Sequence, residues 1–129
     1  MHFLGIYYPK SKYGGFMTDK CTNYTCPIEA TLSLIGGKYK AIILWHLLNH
    51  TMRYSELHKK LPNATDKMLT QQLRELEKDS LITRTVYPVV PPKTEYSLTD
   101  FGKSLVPILN AMCDWGNDYL ILSCAETER

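Results

Sequence analysis

The chain has 129 residues and a formal net charge of +2, and 44% of its residues are hydrophobic and 22% charged. This composition is typical of one soluble globular domain that is long enough to bury a hydrophobic core. No apolar run approaches the roughly 18 residues that a membrane-spanning helix requires. The N-terminus has no basic start followed by a clean apolar run, so we expect no signal peptide and a cytoplasmic protein.

The charged residues are distributed unevenly along the chain. Residues 38–93 carry ten basic and five acidic side chains, whereas residues 94–129 carry two basic and six acidic ones. The middle of the chain is therefore suited to contact with a polyanion, and the acidic end is expected to stay away from DNA.

Two helices are predicted after a flexible N-terminal arm, residues 1–24. Residues 26–38 have apolar side chains at helical spacing. Cys26 is the expected N-cap, a proline follows at the first helical position, and a Gly-Gly pair ends the helix. The second helix, residues 39–49, is apolar on almost every side and is expected to be the buried centre of the domain.

A helix-turn-helix is predicted next. Residues 51–54 form a short link with one turn of strand, and residues 55–61 form a brief helix. Residues 62–64, with the sequence Pro-Asn-Ala, make the turn, and Thr65 is a good N-cap for a second helix within residues 65–82. Two short helices joined by a tight turn, the second amphipathic and basic, are typical of this motif.

The second helix of the motif has two distinct faces. Leu69, Leu73 and Leu76 fall within about 60° of one another on one face. The opposite face gathers Lys67, Gln71, Arg74 and Lys78, with Thr70 at its border. Arg and Lys pair with guanine edges or phosphates and Gln pairs with adenine, so this face suits a DNA groove. An ordinary solvated surface helix is the alternative interpretation of this stretch taken alone.

A β-hairpin is predicted directly after this helix. Residues 81–86 alternate as a strand does, residues 88–93 contain three prolines and form a loop, and residues 94–98 make the return strand. Such a hairpin is the wing of a winged helix-turn-helix, and Lys93 is expected near its tip. The predicted fold class is therefore mainly α with a small β-hairpin wing (α+β).

The C-terminal part predicts a dimer interface. Apolar residues recur every three or four positions from Leu98 onwards, with Thr99 as the expected N-cap and Pro107 as the point where the helix kinks or restarts. An apolar seam of this kind has no free partner helix in so short a chain. We therefore expect it to pack on the same helix, and on the first helix, of a second subunit. The expected interface residues are Leu105, Ile108, Met112, Trp115, Tyr119 and Leu122. The alternative is that this helix covers its own core.

The chain resembles the HxlR-type family of bacterial transcriptional regulators over about residues 24–120. The motifs that carry the resemblance are Cys26-Pro27, Ile35-Gly36-Gly37-Lys38, Lys67-Met68-Leu69, Leu76-Glu77, Pro91-Pro92 and Glu95-Tyr96-Ser97-Leu98-Thr99. The resemblance implies a dimeric winged helix that binds DNA through the second helix of the motif and the wing. We expect the domain to span residues 25–122 and to be followed by a tail at residues 123–129. Ser80 departs from the glycine usual in the family, at a cost of about 1 kcal/mol in a left-handed C-cap.

Seven residues are predicted to contact DNA. Thr65, Lys67, Thr70, Gln71 and Arg74 are expected in the groove, and Arg53 and Lys93 beside the wing on the backbone or the minor groove. Arg74 and Gln71 are the candidates for base readout, whereas Lys67 and Lys93 are expected on phosphates.

Cys26 is the candidate for chemical regulation. A helix N-terminus favours a thiolate, which makes a thiol more reactive, and several members of the resembled family sense electrophiles or oxidants at this position. Oxidation would give a mixed or an intersubunit disulfide, with Cys21 as a candidate partner. An inert capping thiol is the alternative. The four cysteines contain no CxxC pair, so zinc-ribbon and thioredoxin motifs lack their spacing.

The remaining candidates carry no predicted chemistry. His46 and His50 have metal-ligand spacing, but no acidic or thiol partner is evident, so we expect structural histidines, no metal and no cofactor. Enzymatic motifs are missing, and an enzyme is not expected. The predicted function is a homodimeric regulator, a repressor that binds a double-stranded DNA operator and responds to an oxidant, electrophile or small-molecule effector. The alternative is a winged-helix module that binds a ligand or a protein without reading DNA sequence.

Overall fold

The computed structural model describes Tyr24 and residues 26–127, the last three of these by their backbone alone. The arm expected over residues 1–24 and Cys21 lie outside the described residues, apart from Tyr24. The elements are α1 (Pro27–Ile35), α2 (Lys40–His46), β1 (Met52–Arg53), α3 (Tyr54–Lys60), α4 (Asp66–Lys78), β2 (Ile82–Tyr87), β3 (Lys93–Leu98), α5 (Asp100–Lys103) and α6 (Val106–Thr127). A mainly helical fold with one small sheet confirms the predicted class.

The first two helices lie close to their predicted positions. α1 starts after Cys26, which has an extended backbone, and its first residue is a proline. α2 is shorter than expected and ends at His46, and residues 47–49 continue as a turn. α2 contributes Ile43 and Leu44 to the buried centre, as expected, but its apolar surface is not completely covered, since Ile42 and Trp45 are 42% and 37% exposed. α2 contacts α1, α4 and α6, and these contacts leave part of its surface uncovered within the subunit.

α4 is the element for which local sequence patterns predict the most detail, and the structure agrees with them. Its three leucines, Leu69, Leu73 and Leu76, are at most 2% exposed and face the core. The Thr65 hydroxyl caps the helix by accepting a hydrogen bond from Met68 N at 3.1 Å. At the other end Ser80 has a φ of 62°, the left-handed conformation that its position predicted.

The wing belongs to a three-stranded antiparallel sheet with the order β1-β3-β2. The predicted hairpin forms between β2 and β3, with Arg84 opposite Tyr96. β1 adds to the other side of β3, with Met52 opposite Tyr96, so the short link before α3 completes the sheet. In β2 only Ile82 is buried, and the strand therefore projects beyond the core as a wing should.

The turn between β3 and α6 is built around Thr99. Its hydroxyl accepts a hydrogen bond from Gly102 N at 2.9 Å and donates one to Ser80 O at 2.6 Å, which ties α5 to the end of α4. A Cβ at position 102 would overlap the Leu81 carbonyl, so this close approach requires glycine. The helix restarts at Val106, which is one of the two outcomes expected from Pro107.

α6 continues to Thr127, five residues beyond the expected end of the domain at residue 122. No proline or glycine follows Gly116 in the sequence, so nothing in the chain stops the helix earlier. Its first turns pack on the core, where Leu109 lies together with Leu105 from the preceding turn. None of the helices in the part of the chain that the structure describes has the length and apolar content needed to span a bilayer.

The Ser80 turn gives a direct stability test. Leu81 N donates to Leu76 O at 3.0 Å and Ser80 N to Glu77 O at 3.0 Å, the two backbone bonds of a Schellman motif. Because a left-handed backbone strains any residue with a Cβ, Ser80→Gly should raise the free energy of unfolding by about 0.5–1 kcal/mol in urea denaturation.

Ser55→Gly is the matched control for this prediction. Ser55 is exposed within the helix α3. Glycine there should lower the free energy of unfolding, because it adds conformational entropy to the unfolded chain without relieving strain. A loss of stability in both variants would contradict the assignment of strain to Ser80.

Candidate nucleic-acid interface

The outward face of α4 forms a continuous polar surface. Lys67, Gln71, Arg74 and Lys78 are all exposed, and Thr70 is half-buried at the edge. Asp66 and Glu75 lie along the same surface. The structure thus brings together the predicted groove residues of α4, with Thr65 at the N-terminal end of the same helix.

The N-terminus of α4 is held by the preceding helix. Tyr54 Oη donates to Asp66 Oδ1 at 2.8 Å, and His58 Nδ1 lies 3.3 Å from the same oxygen. His58 Nε2 is 3.0 Å from Ala64 O in the turn. Burial raises the pKa of Tyr54 above its ordinary value. Nothing in the sequence pattern marks these contacts, because they join residues of two different helices.

An ion pair joins a buried lysine of α2 to a part-exposed glutamate at the edge of the outward face of α4. Lys40 is only 7% exposed, and its Nζ lies 2.6 Å from Glu75 Oε2. The other carboxylate oxygen of Glu75 accepts a hydrogen bond from Gln71 Nε2 at 3.3 Å. The spacing of Gln71 and Glu75, four residues apart on a helix, is a sequence signal for this contact. The part played by Lys40 has no such signal, since it depends on how α2 packs against α4.

A second contact joins the start of α2 to α4. The Tyr39 backbone N–H donates to Gln72 Oε1 at 3.4 Å. Gly37 lies so close to the same side chain that a Cβ would overlap the Gln72 amide. The turn that ends α1 and the start of α2 therefore both lie against the Gln72 side chain of α4.

The two predicted residues beside the wing differ in their surroundings. Arg53 is exposed in β1 and stands opposite Glu95 of β3. Lys93 Nζ is 2.8 Å from Glu95 Oε1 and 5.2 Å from the centre of the Tyr87 ring. The hydrogen bond from Lys93 is the main cause that lowers the pKa of Glu95 below its ordinary value.

The tip of the wing is apolar. Val89 and Val90 are 50% and 100% exposed, whereas Lys93 is half-buried at the start of β3. Lys93 stands opposite Tyr87 in the last pair of the hairpin before the proline-rich loop, so it lies near the tip, as expected, but the loop itself extends beyond it. A phosphate would have to compete with Glu95 for this ammonium.

Cys26 lies where the sequence predicts it. Its side chain is exposed at the N-cap of α1 and makes no capping hydrogen bond. Cys113 and Cys124, both on α6, are also free thiols among the described residues. The exposed apolar residues Ile28 and Leu32 follow Cys26 on the same helix.

The predicted seam on α6 is largely uncovered within the subunit. Ile108, Met112, Trp115, Tyr119 and Leu122 are 40–71% exposed, and the Trp115 and Tyr119 rings stack with centroids 5.7 Å apart. Leu105 differs from the other expected interface residues. It is 8% exposed and lies in the core of its own subunit, because it precedes α6 in the turn where the chain leaves α5.

His46 is half-buried at the C-terminal end of α2. Its pKa is lowered below the ordinary value by burial and, to a smaller extent, by the charge of Lys60. Across Tyr24 and residues 26–127, no three His, Cys, Asp or Glu side chains are grouped so as to hold a metal ion.

A basic helix-turn-helix followed by a projecting wing defines the class of the protein, a winged-helix domain. The HxlR-like helix-turn-helix family model matches residues 34–123, so the chain belongs to this family. This confirms the resemblance drawn from the sequence motifs, and with it the expected class of helix-turn-helix transcriptional regulator.

Relatives of known sequence and structure agree with this assignment. The chain is 48% identical over 116 residues to the HTH-type transcriptional regulator YdeP of Bacillus subtilis, an alignment that covers 90% of this chain and 83% of YdeP. The redox regulator HypR in its reduced form is 46% identical to this chain, with a TM-score of 0.72. The alignment covers 77% of this chain and 99% of the HypR chain. The oxidised form of HypR is 49% identical with a TM-score of 0.70, covering 72% of this chain and 96% of its own.

Proposed function

We propose that this protein is a homodimeric transcriptional repressor of the cytoplasm that binds a roughly palindromic operator through α4 and the wing. The observation that carries the proposal is the outward face of α4, where Lys67, Gln71 and Arg74 stand exposed on a helix whose other face is locked in the core. A recognition helix needs both properties, since its readers must be accessible and fixed in direction.

Within this proposal the predicted DNA residues have separate tasks. Arg74 and Gln71 read base edges in the major groove, whereas Lys67 contacts phosphate. Thr65, at the N-terminal end of α4, and Thr70, at the border of its outward face, contact DNA in the same groove. Arg53 and Lys93 contact the DNA backbone beside the wing, where Lys93 exchanges its contact with Glu95 for one with phosphate.

The exposed apolar surface supports dimerisation. Residues on three helices contribute to it: Ile28 and Leu32 from α1, Ile42 and Trp45 from α2, and Ile108, Met112, Trp115, Tyr119 and Leu122 from α6. A monomer seldom exposes so many large apolar side chains, and a two-fold axis would cover them with the same residues of a second copy. The recognition helices of the two copies would then face two half-sites of one operator.

Cys26 is the proposed redox switch. Its thiol is exposed and begins the helix that carries Ile28 and Leu32, so its oxidation takes place beside the proposed dimer surface. A disulfide between Cys26 and a thiol of the second subunit, with the oxidant taking up two electrons and two protons, would shift one subunit against the other and change the spacing of the two α4 helices. The relative HypR is described as a redox regulator with oxidised and reduced forms, which makes this hypothesis the preferred one over an inert cap.

The roles of Arg74 and Lys93 predict different binding defects. Arg74→Ala should cost about 1–3 kcal/mol on the upstream DNA of its own gene and relax sequence preference, because a base contact is lost. Lys93→Ala should weaken specific and random DNA alike, since phosphates carry no sequence information. Fluorescence anisotropy with both duplexes at one salt concentration measures the difference. Equal losses on specific and random DNA for Arg74→Ala would exclude it as a reader.

The dimer surface predicts a change in oligomeric state. Trp115→Glu places a charge among apolar side chains that the second copy should cover, so the variant should sediment as a monomer of 14.9 kDa while the wild type sediments as a dimer. Val90→Glu is the matched control, because Val90 is fully exposed at the wing tip, away from the proposed dimer surface. A wild type that stays monomeric at micromolar concentration would contradict the proposal.

The redox switch predicts a response that depends on one thiol. Diamide should weaken operator binding by the wild type, and Cys26→Ser should abolish this response without lowering binding under reducing conditions. Cys113→Ser serves as the control and should respond as the wild type does. An unchanged diamide response in Cys26→Ser would remove Cys26 from the mechanism.

A further inference from the structure

Three side chains form a connected polar chain from the core to the groove face of α4. Lys40, the first residue of α2, is buried, and its Nζ lies 2.6 Å from Glu75 Oε2. Glu75 Oε1 accepts a hydrogen bond from Gln71 Nε2 at 3.3 Å. A buried cation therefore anchors a carboxylate, and this carboxylate contacts the amide of an exposed residue proposed to read DNA.

The carboxylate determines which way the Gln71 amide points. An ionised Glu only accepts hydrogen bonds, so the NH₂ group of the amide must face Glu75, and the reverse orientation would place two oxygens against each other. Lys40 keeps the carboxylate in place, because a buried ammonium without its partner is unfavourable. Rotation of the Gln71 amide by half a turn is thereby opposed.

An amide held in this way presents a defined pattern to a ligand. One of its two N–H groups is engaged by Glu75, and Oε1 and the second N–H stay available as an acceptor beside a donor. Adenine offers the complementary pair in the major groove, the N6 amino donor and the N7 acceptor, whereas guanine offers two acceptors, N7 and O6. The held amide therefore favours adenine over guanine, and an amide free to rotate discriminates less.

We propose that Lys40 and Glu75 are positioning residues that hold the Gln71 amide for the recognition of adenine at one position of each operator half-site. This inference rests on the proposed function, since it requires α4 to lie in the major groove. It adds a specificity determinant outside the predicted contact residues, with one of its members in a different helix.

The experiment begins with binding-site selection from randomised duplexes by the full-length chain. The wild type should select adenine at a position where Gln71→Met has no preference. At that position the wild type should bind the adenine duplex about tenfold or more tightly than the guanine duplex, and Glu75→Gln should reduce this ratio to about threefold or less. Gln71→Met lies on the exposed surface and identifies the reader even if Glu75→Gln fails to fold.

Matched variants separate positioning from simple electrostatics. Glu77→Gln removes the same charge from an exposed position on α4, so both Glu variants should bind all DNA more tightly, but only Glu75→Gln should change the base ratio. Lys40→Met, which replaces the ammonium by an apolar side chain of similar length, should lower the ratio as Glu75→Gln does. Lys40→Arg keeps the cation and should restore the wild-type ratio.

The possible outcomes separate the positioning role of Lys40 and Glu75 from the proposed function. An adenine-to-guanine ratio that stays at the wild-type value in Glu75→Gln or, should that variant not fold, in Lys40→Met overturns the positioning role and leaves the proposed function intact. A Gln71→Met variant that keeps every base preference of the wild type would overturn the positioning role as well. A wild type that selects no sequence over random DNA overturns both the proposed function and this inference.

Discussion

The burial of the leucine face of α4 is the constraint on which the rest of the domain depends. Leu69, Leu73 and Leu76 are almost completely removed from solvent, and each contributes about 1.5–3 kcal/mol by the burial of its side chain. Rotation of the helix about its axis would expose them, so their packing also fixes the direction of the opposite face. The capping bond at Thr65 and the left-handed turn at Ser80 then fix where this face begins and ends.

The same helix is tied sideways to α2, and this connects the DNA-facing surface with the rest of the subunit. The Gln72 side chain accepts a hydrogen bond from the Tyr39 backbone N–H, and Glu75 forms an ion pair with Lys40. α2 follows α1 after a tight Gly-Gly turn, and α1 begins at the exposed Cys26 thiol. In the proposed mechanism a shift of α1 at the dimer surface therefore acts on α4 through rigid helices in direct contact.

Local patterns in the sequence predict the α4 unit, and tertiary contacts account for what they leave out. The cap at Thr65, the leucine spacing and the left-handed turn at Ser80 are properties of neighbouring residues, and they are confirmed. The exposed part of α2 and the burial of Lys40 depend on which helix faces lie against one another, which no local period encodes. Leu105 fits the heptad spacing, yet it packs in its own core because the helix restarts just after it.

Measurement of DNA affinity at several salt concentrations is the direct test of whether the outward face of α4 reads DNA sequence. Binding of the purified chain to the DNA upstream of its own gene and to a scrambled duplex of equal length should be measured between low and moderate salt. Affinity for both should fall as salt rises, because phosphate contacts release counterions. If the outward face of α4 reads DNA sequence, the upstream DNA should keep an advantage in affinity of about a thousandfold or more at moderate salt. Equal affinity for the two duplexes across the series would contradict it.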